Sequence, residues 1–546
     1  MLSKKWSIVG MVAAFAMVGL FSACSDSSSS GDNSKGEDSG YDYNSTEAGG
    51  AYVMITEVMY NAPENSTLEW VELKIIGGSA MSDMTLFNLR LDGAVTYTFP
   101  KEPLDTSEYI VVTNDPDLFK KTYRDFKGRL FGPWEKDIKT DSIAKLSNEG
   151  DVIDVKLEGK GDVSCAFSKE PPWPSLADGN GSSLVFVGGN PSQASAWAAS
   201  KKEWGNPGAA DEYIAPTKVR LNEIQPYVLG TSEGWVELYN AGDADVDVSG
   251  WIFETKSGYR DTSWTIKKGK VPAKGYLALP ANDAAIWGEE ITLNAKGGSY
   301  YLYETSGGKK TGAESSLLLA ASNLSSGVID ISDGSTAQGA LTKATQGAAN
   351  AALKVGPIFI DEIYYHPFEK GSVDFEFMEL VNKADTAVNL YESKNFKGKG
   401  WKVEGINLEF PQGAALPAGG RALLLPDSIE SIAHDTAGIR KKYNIASNVQ
   451  IFLYKGKLSN RGETIAVKQP FDYDEISAVV DEEDPSANLA ATIQWYYDWS
   501  DATLYSDTWK GLEDADGYGK SLQRANYTTM GYEASAWKVA EPTVGK

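Results

Sequence analysis

Three pairs of glutamates recur in similar surroundings along this 546-residue chain, and carboxylates are the side chains best suited to chemistry here. Each pair joins a glutamate in one apolar stretch (ITEVMY, LNEIQP or IDEIYY) to a glutamate in the stretch after a turn (WVELKI, WVELYN or FMELVN). The pairs are Glu57 with Glu72, Glu223 with Glu237, and Glu362 with Glu379. Two neighbouring carboxylates could bind a cation or act as an acid and base pair.

Alternation along a strand predicts where these carboxylates lie. Glu57 stands between a threonine and a valine, and Glu72 between a valine and a leucine. A period of two therefore places both carboxylates opposite the apolar face. There they could face solvent or accept hydrogen bonds from loop backbone. We favour such a structural role, because one chain would rarely need a catalytic pair three times.

Nucleophilic and zinc chemistry have little support. GTSEG at Gly230–Gly234 matches G-x-S-x-G, but a nucleophile elbow requires a strand-to-helix turn with distant histidine and acid partners. Here Ser232 joins two short strands. His366 and His434 are the two histidines, and neither has a second histidine or a cysteine at zinc-ligand spacing. We therefore predict no catalytic residue and place both histidines in loops or at the surface.

Two acidic stretches, FDYDEISAVVDEEDP and LEDADGYG, could coordinate calcium through oxygen ligands. The candidate ligands are Asp481, Glu482, Glu483, Asp484, Asp514 and Asp516. Neither stretch has EF-hand spacing, since Gln523 stands where the final glutamate would be needed. We favour solvated loops and assign no metal site. No cofactor is expected, and calcium is the metal most compatible with so acidic a protein.

The chain contains 15 tryptophans and 27 tyrosines, more than cores of this type require. Exposed aromatic rings offer large rigid surfaces on which sugars and proteins bind. The candidate ligand-binding residues are Trp173, Trp495, Tyr496, Tyr497 and Trp499. The alternative is that most of these rings belong to the core.

Charge and cysteine content exclude some classes of protein. The net charge of −24 becomes −26 if the segment before Cys24 is removed, because that segment carries Lys4 and Lys5 and no acid. Such a field repels polyphosphate, so nucleic acid is not an expected partner. Two cysteines exclude a disulfide framework. The length supplies material for about three ordinary domains.

The N-terminus has the features of a bacterial lipoprotein. Residues 1–23 combine two lysines with an apolar run that is short for a lasting membrane span, and they end in FSA before Cys24. FSAC is similar to a lipobox, in which the cysteine is diacylated. Residues 24–51 are rich in Ser, Gly and Asp and are expected to be a flexible tether. Ser25 after the lipidated position points to the outer membrane, so we expect anchoring there, at the cell surface of a Gram-negative bacterium.

The remaining chain consists of short runs of β-branched and aromatic residues between turn residues, such as YIVVTND, SYYLYET and VQIFLYKG. Helical patterns are short, at Leu118–Phe126 and Ile439–Asn444. The pattern predicts an all-β protein made of sandwich domains.

The three glutamate-bearing stretches each begin a longer repeated pattern. Two copies share KLSNEGDVIDV and KLSNRGETIAV, followed by ADGNGSSL and ADGYGKSL, and the closings WGNPGAAD, ATQGAAN and WKVAEPTVGK correspond. In this order the elements resemble the bacterial lamin-tail domain family. The resemblance implies three tandem immunoglobulin-like β-sandwiches without catalytic residues: copy one (52–211), copy two (217–350) and copy three (355–546). Copy two lacks the K-L-S-N element and is the least typical.

Two functions follow from these features. The first is a non-catalytic surface lipoprotein that binds or scaffolds an envelope component, a protein or an extracellular polysaccharide. The alternative is a surface hydrolase or calcium-dependent adhesin that uses the acidic region of copy three. We expect the first, with no enzymatic activity and with the membrane engaged through the N-terminal lipid.

Overall fold

Short antiparallel strands dominate the computed structural model, so the protein is all-β. It describes residues 52–546 except 77–85, 104–107, 137–141, 158–160, 231, 258–259, 333–335, 369–372, 395–396, 428–435, 455–457, 461, 477–491 and 508. The described residues form six main sheets and three two-stranded ribbons.

Copy one contains two sheets that share one core. Its strands are β1 (Tyr52–Met59), β2 (Trp70–Ile76), β3 (Leu89–Gly93), β4 (Tyr97–Thr98), β5 (Tyr109–Thr113), β6 (Arg129–Phe131), β7 (Gly150–Leu157), β8 (Gly161–Ser168), β9 (Leu184–Phe186) and β10 (Trp197–Ala199). The six-stranded sheet has the order β10-β9-β1-β2-β5-β6, and the four-stranded sheet has the order β4-β3-β7-β8. Val58 and Leu73 from the first sheet pack in one cluster with Leu91 and Val155 from the second.

Copy two repeats this arrangement with a five-stranded and a four-stranded sheet. Its strands are β11 (Val219–Gln225), β12 (Trp235–Asn240), β13 (Val246–Asp247), β14 (Ile252–Ser257), β15 (Arg260–Thr265), β16 (Lys270–Val271), β17 (Tyr276–Pro280), β18 (Gly298–Ser306), β19 (Lys309–Leu319), β20 (Ser326–Asp330) and β21 (Thr336–Ala340). The sheets have the orders β17-β12-β11-β20-β21 and β15-β14-β18-β19, and β13 pairs with β16. Leu238 and Phe253 contribute to the common core from the two sides.

Copy three has the same strand neighbours as copy one. Its strands are β22 (Ile358–Tyr364), β23 (Phe377–Asn382), β24 (Val388–Asn389), β25 (Tyr391–Lys394), β26 (Lys397–Gly400), β27 (Lys402–Glu404), β28 (Leu408–Glu409), β29 (Ala415–Leu416), β30 (Arg421–Pro426), β31 (Gln450–Tyr454), β32 (Gly462–Ile476), β33 (Thr492–Ser506), β34 (Ser521–Arg524) and β35 (Trp537–Ala540). The main sheets have the orders β31-β30-β23-β22-β34-β35 and β28-β27-β32-β33. The last pairing of the larger sheet, β30 with β31, is parallel, as is β5 with β6 in copy one.

The described helices are short. They are α1 (Pro116–Thr122), α2 (Ala284–Trp287) and α3 (Thr436–Tyr443). Asp115 caps α1 by accepting hydrogen bonds from the backbone amides of Asp117 and Leu118 at 3.1 and 2.9 Å, and proline occupies the first helical position. The two helices predicted from the sequence are thus confirmed, although each begins a few residues earlier than predicted.

The copies contact one another through buried polar groups. Ser175 of copy one donates its backbone amide to Glu314 of copy two at 2.7 Å, and its hydroxyl lies 3.1 Å from that of Tyr303. Ser299 of copy two donates to Glu170 of copy one at 2.9 Å. Copies one and two are therefore joined by specific contacts as well as by the chain.

The long β32–β33 hairpin of copy three packs against copy two. Trp499 lies in an apolar cluster with Leu341 and Leu353, and Ala321 donates its backbone amide to the carbonyl of Tyr497 at 3.0 Å. Lys296 of copy two also donates to the carbonyl of Tyr473 at 3.2 Å. Part of the aromatic surface of copy three is therefore an internal interface.

Candidate functional site

The paired glutamates lie opposite each other across the first hairpin of every copy. Glu57 pairs with Glu72 between β1 and β2, and the β11–β12 and β22–β23 hairpins pair their own glutamates in the same way. In each hairpin the register shifts just before the first glutamate, so one residue bulges out of the ladder. The bulged residues are Thr56, Asn222 and Asp361. All six glutamates are buried.

The sheet face that carries the pair is covered even though it lies away from the main core. In copy one Met59 and Trp70 share this face with the glutamates and pack against Phe119 of α1 in a second apolar cluster. Of the two structural settings expected from the sequence, solvent or loop backbone, the structure shows the second. The glutamates therefore depend on hydrogen bonds from the protein.

The donors come from a short segment after the last strand of each copy. We call it the closing segment: 206–211 in copy one, 345–350 in copy two and 543–546 in copy three. In copy one the amide of Asn206 donates to Glu57 at 3.0 Å, and the amide of Gly208 donates to Glu72 at 2.6 Å. The hydroxyl of Ser183 also donates to Glu57, and it reaches the same carboxylate oxygen as the amide of Asn206. The pair thus fixes the closing segment to the first hairpin.

Copies two and three use the same two amides. Thr345 donates to Glu223 at 3.2 Å, and Gly347 donates to Glu237. In copy three the corresponding amides belong to Thr543, which donates to Glu362 at 2.9 Å, and to Gly545, which donates to Glu379. Each of the three glycines has a positive φ, between 71° and 86°, which favours glycine at this turn.

The copies differ in what else surrounds the pair. In copy two Asn222 donates its side-chain amide to Glu237 at 2.9 Å, and it also donates to Asn350 at 3.0 Å. Asn350 in turn donates to the carbonyls of Asn222 and Val328 at 2.8 and 2.7 Å. A neutral amide network therefore completes the site in copy two.

Copy three uses a cation instead. Arg421 lies 3.2 Å from Glu379 and forms a second, closer ion pair with Asp361, the bulged residue. Burial and the charge of Glu362 raise the pKa of Glu379 well above its usual value, and Arg421 opposes this rise. The guanidinium thus offsets part of the negative charge that the buried carboxylates bring together.

In copy one the additional residue is a third acid, Asp211. One oxygen each of Glu57, Glu72 and Asp211 lies within 4.8 Å of the others. Burial raises the pKa of Glu72 to about 8 and the pKa of Asp211 to about 7. Burial and then the charge of Asp211 raise the pKa of Glu57 well above its usual value. Copy one therefore gathers negative charge that the other copies avoid or offset.

A polar cavity of about 300 Å³ opens beside the first hairpin of copy one. Its lining consists of Tyr60, Asn61, Ala62, Ser66, Thr67, Glu69, Lys145, Leu146 and Asn148. Glu69 accepts a hydrogen bond from the amide of Leu146 at 2.9 Å, and burial raises its pKa to about 7. The hydroxyl of Tyr60 is buried and has no hydrogen-bond partner among the described residues. The cavity thus offers hydrogen-bonding groups to a small polar ligand or part of one.

The corresponding loops of copies two and three expose apolar side chains. In copy two Leu229 is 84% exposed and Tyr227 is 43% exposed. In copy three Phe368 of this loop is 43% exposed. The loop after the first strand therefore presents contact surface in every copy.

The aromatic residues predicted to bind a ligand are mostly packed. Trp173 and Trp499 are 2% exposed and lie in apolar clusters, and Trp495 is buried against Tyr473 with ring centroids 5.0 Å apart. The prediction that these three tryptophans offer free ring faces is therefore corrected. Packing within copy one covers Trp173, Tyr473 of the same hairpin packs against Trp495, and copy two covers Trp499.

Two of the predicted tyrosines are half-buried. Tyr496 donates its hydroxyl to Asp474 at 3.0 Å, and the ammonium of Lys402 lies 4.4 Å from the ring centroid of Tyr497. Both therefore have partners within copy three, that of Tyr496 in β32 and that of Tyr497 in β27, and neither is an open platform.

The calcium candidates divide into two groups. Asp481, Glu482, Glu483 and Asp484 lie outside the described residues. Asp514 is exposed, while Asp516 is buried and lies 2.7 Å from the imidazole Nδ1 of His366.

The contact between Asp516 and His366 has a counterpart in copy one. Asn61 donates to Asp178 at 2.6 Å, and both pairs are joined by a parallel bridge. The repetition identifies Asp516 as a structural link between loops, as Asp178 is.

The remaining motifs are structural or lie outside the described part. Ser232 accepts a hydrogen bond from the amide of Gly234 at 3.1 Å within the loop between β11 and β12, so no helix follows it. Cys24 and His434 are outside the described residues. Cys165 is a free, buried thiol in the core of copy one, and burial raises its pKa. Among the described residues, no helix combines the length and apolar character needed to cross a membrane.

Sequence reasoning missed Asp211, Asn350 and Arg421, which distinguish the three glutamate pairs. A signal for the first two was present, because the aligned closings NPGAAD and TQGAAN end in Asp211 and Asn350. Arg421 begins β30 and contacts the glutamate pair across the sheet, so no local sequence pattern predicts this contact.

The described strands define an all-β protein in which a hairpin with paired glutamates occurs three times. Residues 214–346, essentially copy two, match the family model of the Lamin Tail Domain. The match falls on the segment that lacks the K-L-S-N element.

Wider comparisons add little. No curated protein matches the chain. Among solved structures, a DUF4876 family protein from Bacteroides thetaiotaomicron VPI-5482 aligns over 55% of this chain and 89% of its own, at 12% identity. The TM-score of 0.17 is too low for that likeness to support a conclusion about fold or function.

Proposed function

We propose that the protein is a non-catalytic surface lipoprotein that binds or scaffolds an envelope component, a protein or an extracellular polysaccharide. The observation that carries this proposal is the use of the glutamate pair in every copy to hold the closing segment. Carboxylates that accept buried backbone amides have a structural task, and the same task in three places argues against a catalytic pair.

We infer further that all three copies are immunoglobulin-like lamin-tail domains spanning 52–211, 217–350 and 355–546. The family match at 214–346 supports this for copy two. For copies one and three, support comes from the shared strand order, the shared bulge before the first glutamate and the shared closing contacts.

The proposed ligand-binding end is formed by the loops after the first strands. The support consists of the polar cavity of copy one and the exposed side chains of Tyr227, Leu229 and Phe368 in the other copies. Exposed aromatic and aliphatic side chains beside polar groups are typical of protein and sugar contacts. This end replaces the buried tryptophans as the expected binding surface.

A screen against glycan and protein arrays tests this assignment. The soluble chain beginning at Ser25 should bind at least one class of array component. Tyr227→Ala combined with Leu229→Asp should weaken that binding, whereas Tyr213→Ala, which alters a tyrosine of similar exposure in the segment between copies one and two, should not. Equal loss with Tyr213→Ala, or no binding at all, would contradict the proposed surface.

Membrane attachment is proposed to depend on Cys24. Replacing Cys24 by alanine should abolish labelling by a fatty-acid analogue and release the protein from membrane fractions. Unchanged labelling would reject the lipoprotein assignment.

The domain division has its own test in limited proteolysis. Residues 212–216 between copies one and two are largely exposed, whereas Leu353 between copies two and three is buried and Lys354 forms an ion pair with Asp498. Cleavage should therefore occur first near residue 212, and the second joint should resist longer. First cleavage inside a copy would contradict the boundaries.

A further inference from the structure

Asp211 and Asn350 occupy the same place in their closing segments, five residues after Asn206 and Thr345. In copy two the amide of Asn350 belongs to a complete hydrogen-bond network around the glutamates. In copy one the same place carries a charge of the same sign as the pair. Copy one therefore has a third carboxyl group beside the pair, where copy two has a neutral amide.

Two oxygens in copy one have no hydrogen-bond donor among the described residues. They are Oε2 of Glu57, whose side chain is fully buried, and Oδ1 of Asp211. The other oxygen of Glu57 already accepts from Ser183 and Asn206. A fully buried carboxylate oxygen without a donor is costly, and a bound cation would remove that cost.

The nearby lysines have other partners. Lys202 donates to the side-chain carbonyl of Asn206 at 2.9 Å, and Lys74 donates to the hydroxyl of Tyr109 at 2.9 Å. Their charges favour ionisation of Asp211 from a distance. Neither replaces the guanidinium that Arg421 brings to copy three.

The spacing suits a hard divalent ion. Ligand oxygens around calcium lie at about 2.3–2.6 Å from the metal, so two of them can be at most about 5 Å apart. The three carboxylate oxygens lie within 4.8 Å of one another. All the ligands are carboxylates, which favours calcium, magnesium or manganese over softer metals. Asp211 is only half-buried, which leaves a route for the ion and for water ligands.

We propose that copy one binds one divalent cation of the calcium class between Glu57, Glu72 and Asp211. The ion joins the first hairpin to the closing segment, as Asn350 does in copy two, and it supplies the positive charge that Arg421 brings to the pair in copy three. The proposed ligands include none of the residues 481–484, and the proposal does not depend on the ligand-binding role above.

Calorimetric titration of the chelator-treated full chain carrying Cys24→Ala tests the proposal, with calcium, magnesium and manganese chlorides as separate probes. The wild-type site should bind one equivalent of at least one of these ions. Asp211→Asn gives copy one the residue type of copy two and should weaken this binding about tenfold or more. Asp243→Asn, the same change at an exposed aspartate of copy two, should leave it unaltered.

Thermal unfolding supplies a second readout. Without added cation, Asp211→Asn should melt no lower than wild type, because it removes charge repulsion. Saturating calcium should raise the melting temperature of wild type by several degrees and that of Asp211→Asn much less. If Asp211→Asn does not fold, Glu57→Gln takes its place with the same expectations for cation binding and for the smaller rise of the melting temperature in calcium.

Three results would overturn the proposal. The first is that wild type binds none of the three ions at millimolar concentration, which would mean that the carboxylates share protons instead. The second is equal binding by wild type and Asp211→Asn. The third is binding that survives Asp211→Asn but is lost when 481–484 are changed to Asn and Gln.

Discussion

Copies one and two place the same glutamate pair on the same hairpin and hold their closing segments with equivalent backbone amides. They differ at the end of that segment, where copy one has Asp211 and copy two has Asn350. Copy two is complete through side-chain amides, whereas copy one concentrates three carboxylates. The glutamate pair and its backbone donors are therefore shared, whereas the charged or neutral groups beside the pair differ from copy to copy.

Copy three extends the comparison with a third solution. Its bulged residue is an acid, Asp361, where the other copies have Thr56 and Asn222, which both donate to the second glutamate of their pair. An aspartate cannot donate when ionised, and Arg421 bridges Asp361 and Glu379 instead. In copy three the acid at the bulge is therefore accompanied by a cation beside the pair.

The largest expected effect on stability comes from removing the guanidinium of Arg421 in copy three. Arg421→Ala leaves the buried carboxylates of Asp361 and Glu379 without their partner and should lower the free energy of unfolding by about 3 kcal/mol. Chemical denaturation measures this change. Lys442→Ala, which breaks an exposed ion pair with Asp374, serves as control and should cost under about 0.5 kcal/mol. Equal effects of the two changes would remove the special role of Arg421.

A smaller loss is expected in copy two. Glu237→Ala leaves the amides of Gly347 and Asn222 without their acceptor, at a cost of about 2 kcal/mol. Hydrogen exchange at 345–350 should accelerate. Glu237→Gln keeps an acceptor oxygen and should cost less. Unchanged exchange in Glu237→Ala would show that the pair does not hold the closing segment.

A second carboxyl group occurs at the same position in copies one and three and should make stability depend on pH. Glu463 accepts from the amide of Ser459 at 2.7 Å and from the hydroxyl of Tyr505 at 2.9 Å, as Asp151 accepts from the amide of Ser147 in copy one. Burial raises the pKa of Glu463 to about 8. Between its usual value and about 8 the folded state binds more protons than the unfolded state, so stability falls as pH rises.

Denaturation at a series of pH values measures this effect. A difference of one pKa unit between the folded and unfolded states corresponds to about 1.4 kcal/mol. With allowance for relaxation around the charge, Glu463 should lower the free energy of unfolding by about 2 kcal/mol between pH 4.5 and about pH 8. Glu463→Gln should flatten this part of the curve. A variant with the wild-type slope would assign the decline to other groups.

The smallest effect separates copies one and two directly. In chelator, Asp211→Asn should stabilise the closing segment of copy one by up to about 1 kcal/mol, because one like charge is removed at a half-buried site. Asn350→Asp should have the opposite sign in copy two, since it adds a charge and removes the donor to Asn222 and Val328. Hydrogen exchange in 206–211 and 345–350 measures the change in stability of each closing segment. The same sign in both copies would contradict the comparison.

Much of the fold follows from local sequence. Alternation in strands such as β3, where Leu89 and Leu91 are buried and Arg90 is exposed, predicts the all-β class. The repeated order of motifs also predicts the pairing of Glu57 with Glu72, because both positions recur with the same neighbours. These features depend on residues close in sequence, where period and turn residues are informative.

Long-range packing accounts for what the sequence could not predict. Trp499 looks like an exposed ring within IQWYYDWSD, yet copy two covers it. The bulge at Thr56 moves Glu57 into register with Glu72, and a one-residue shift of this kind has no local signature. Whether a glutamate is exposed or buried depends on a closing segment that lies 110 to 181 residues further along the chain.

Crystallography of the full chain grown with manganese, using the anomalous signal of the metal, tests the central claim most directly. We predict one anomalous peak about 2.1–2.6 Å from oxygens of Glu57, Glu72 and Asp211, and none beside Asn350 or Arg421. A map with no peak at these three carboxylates, or with a peak at 481–484 instead, would contradict it.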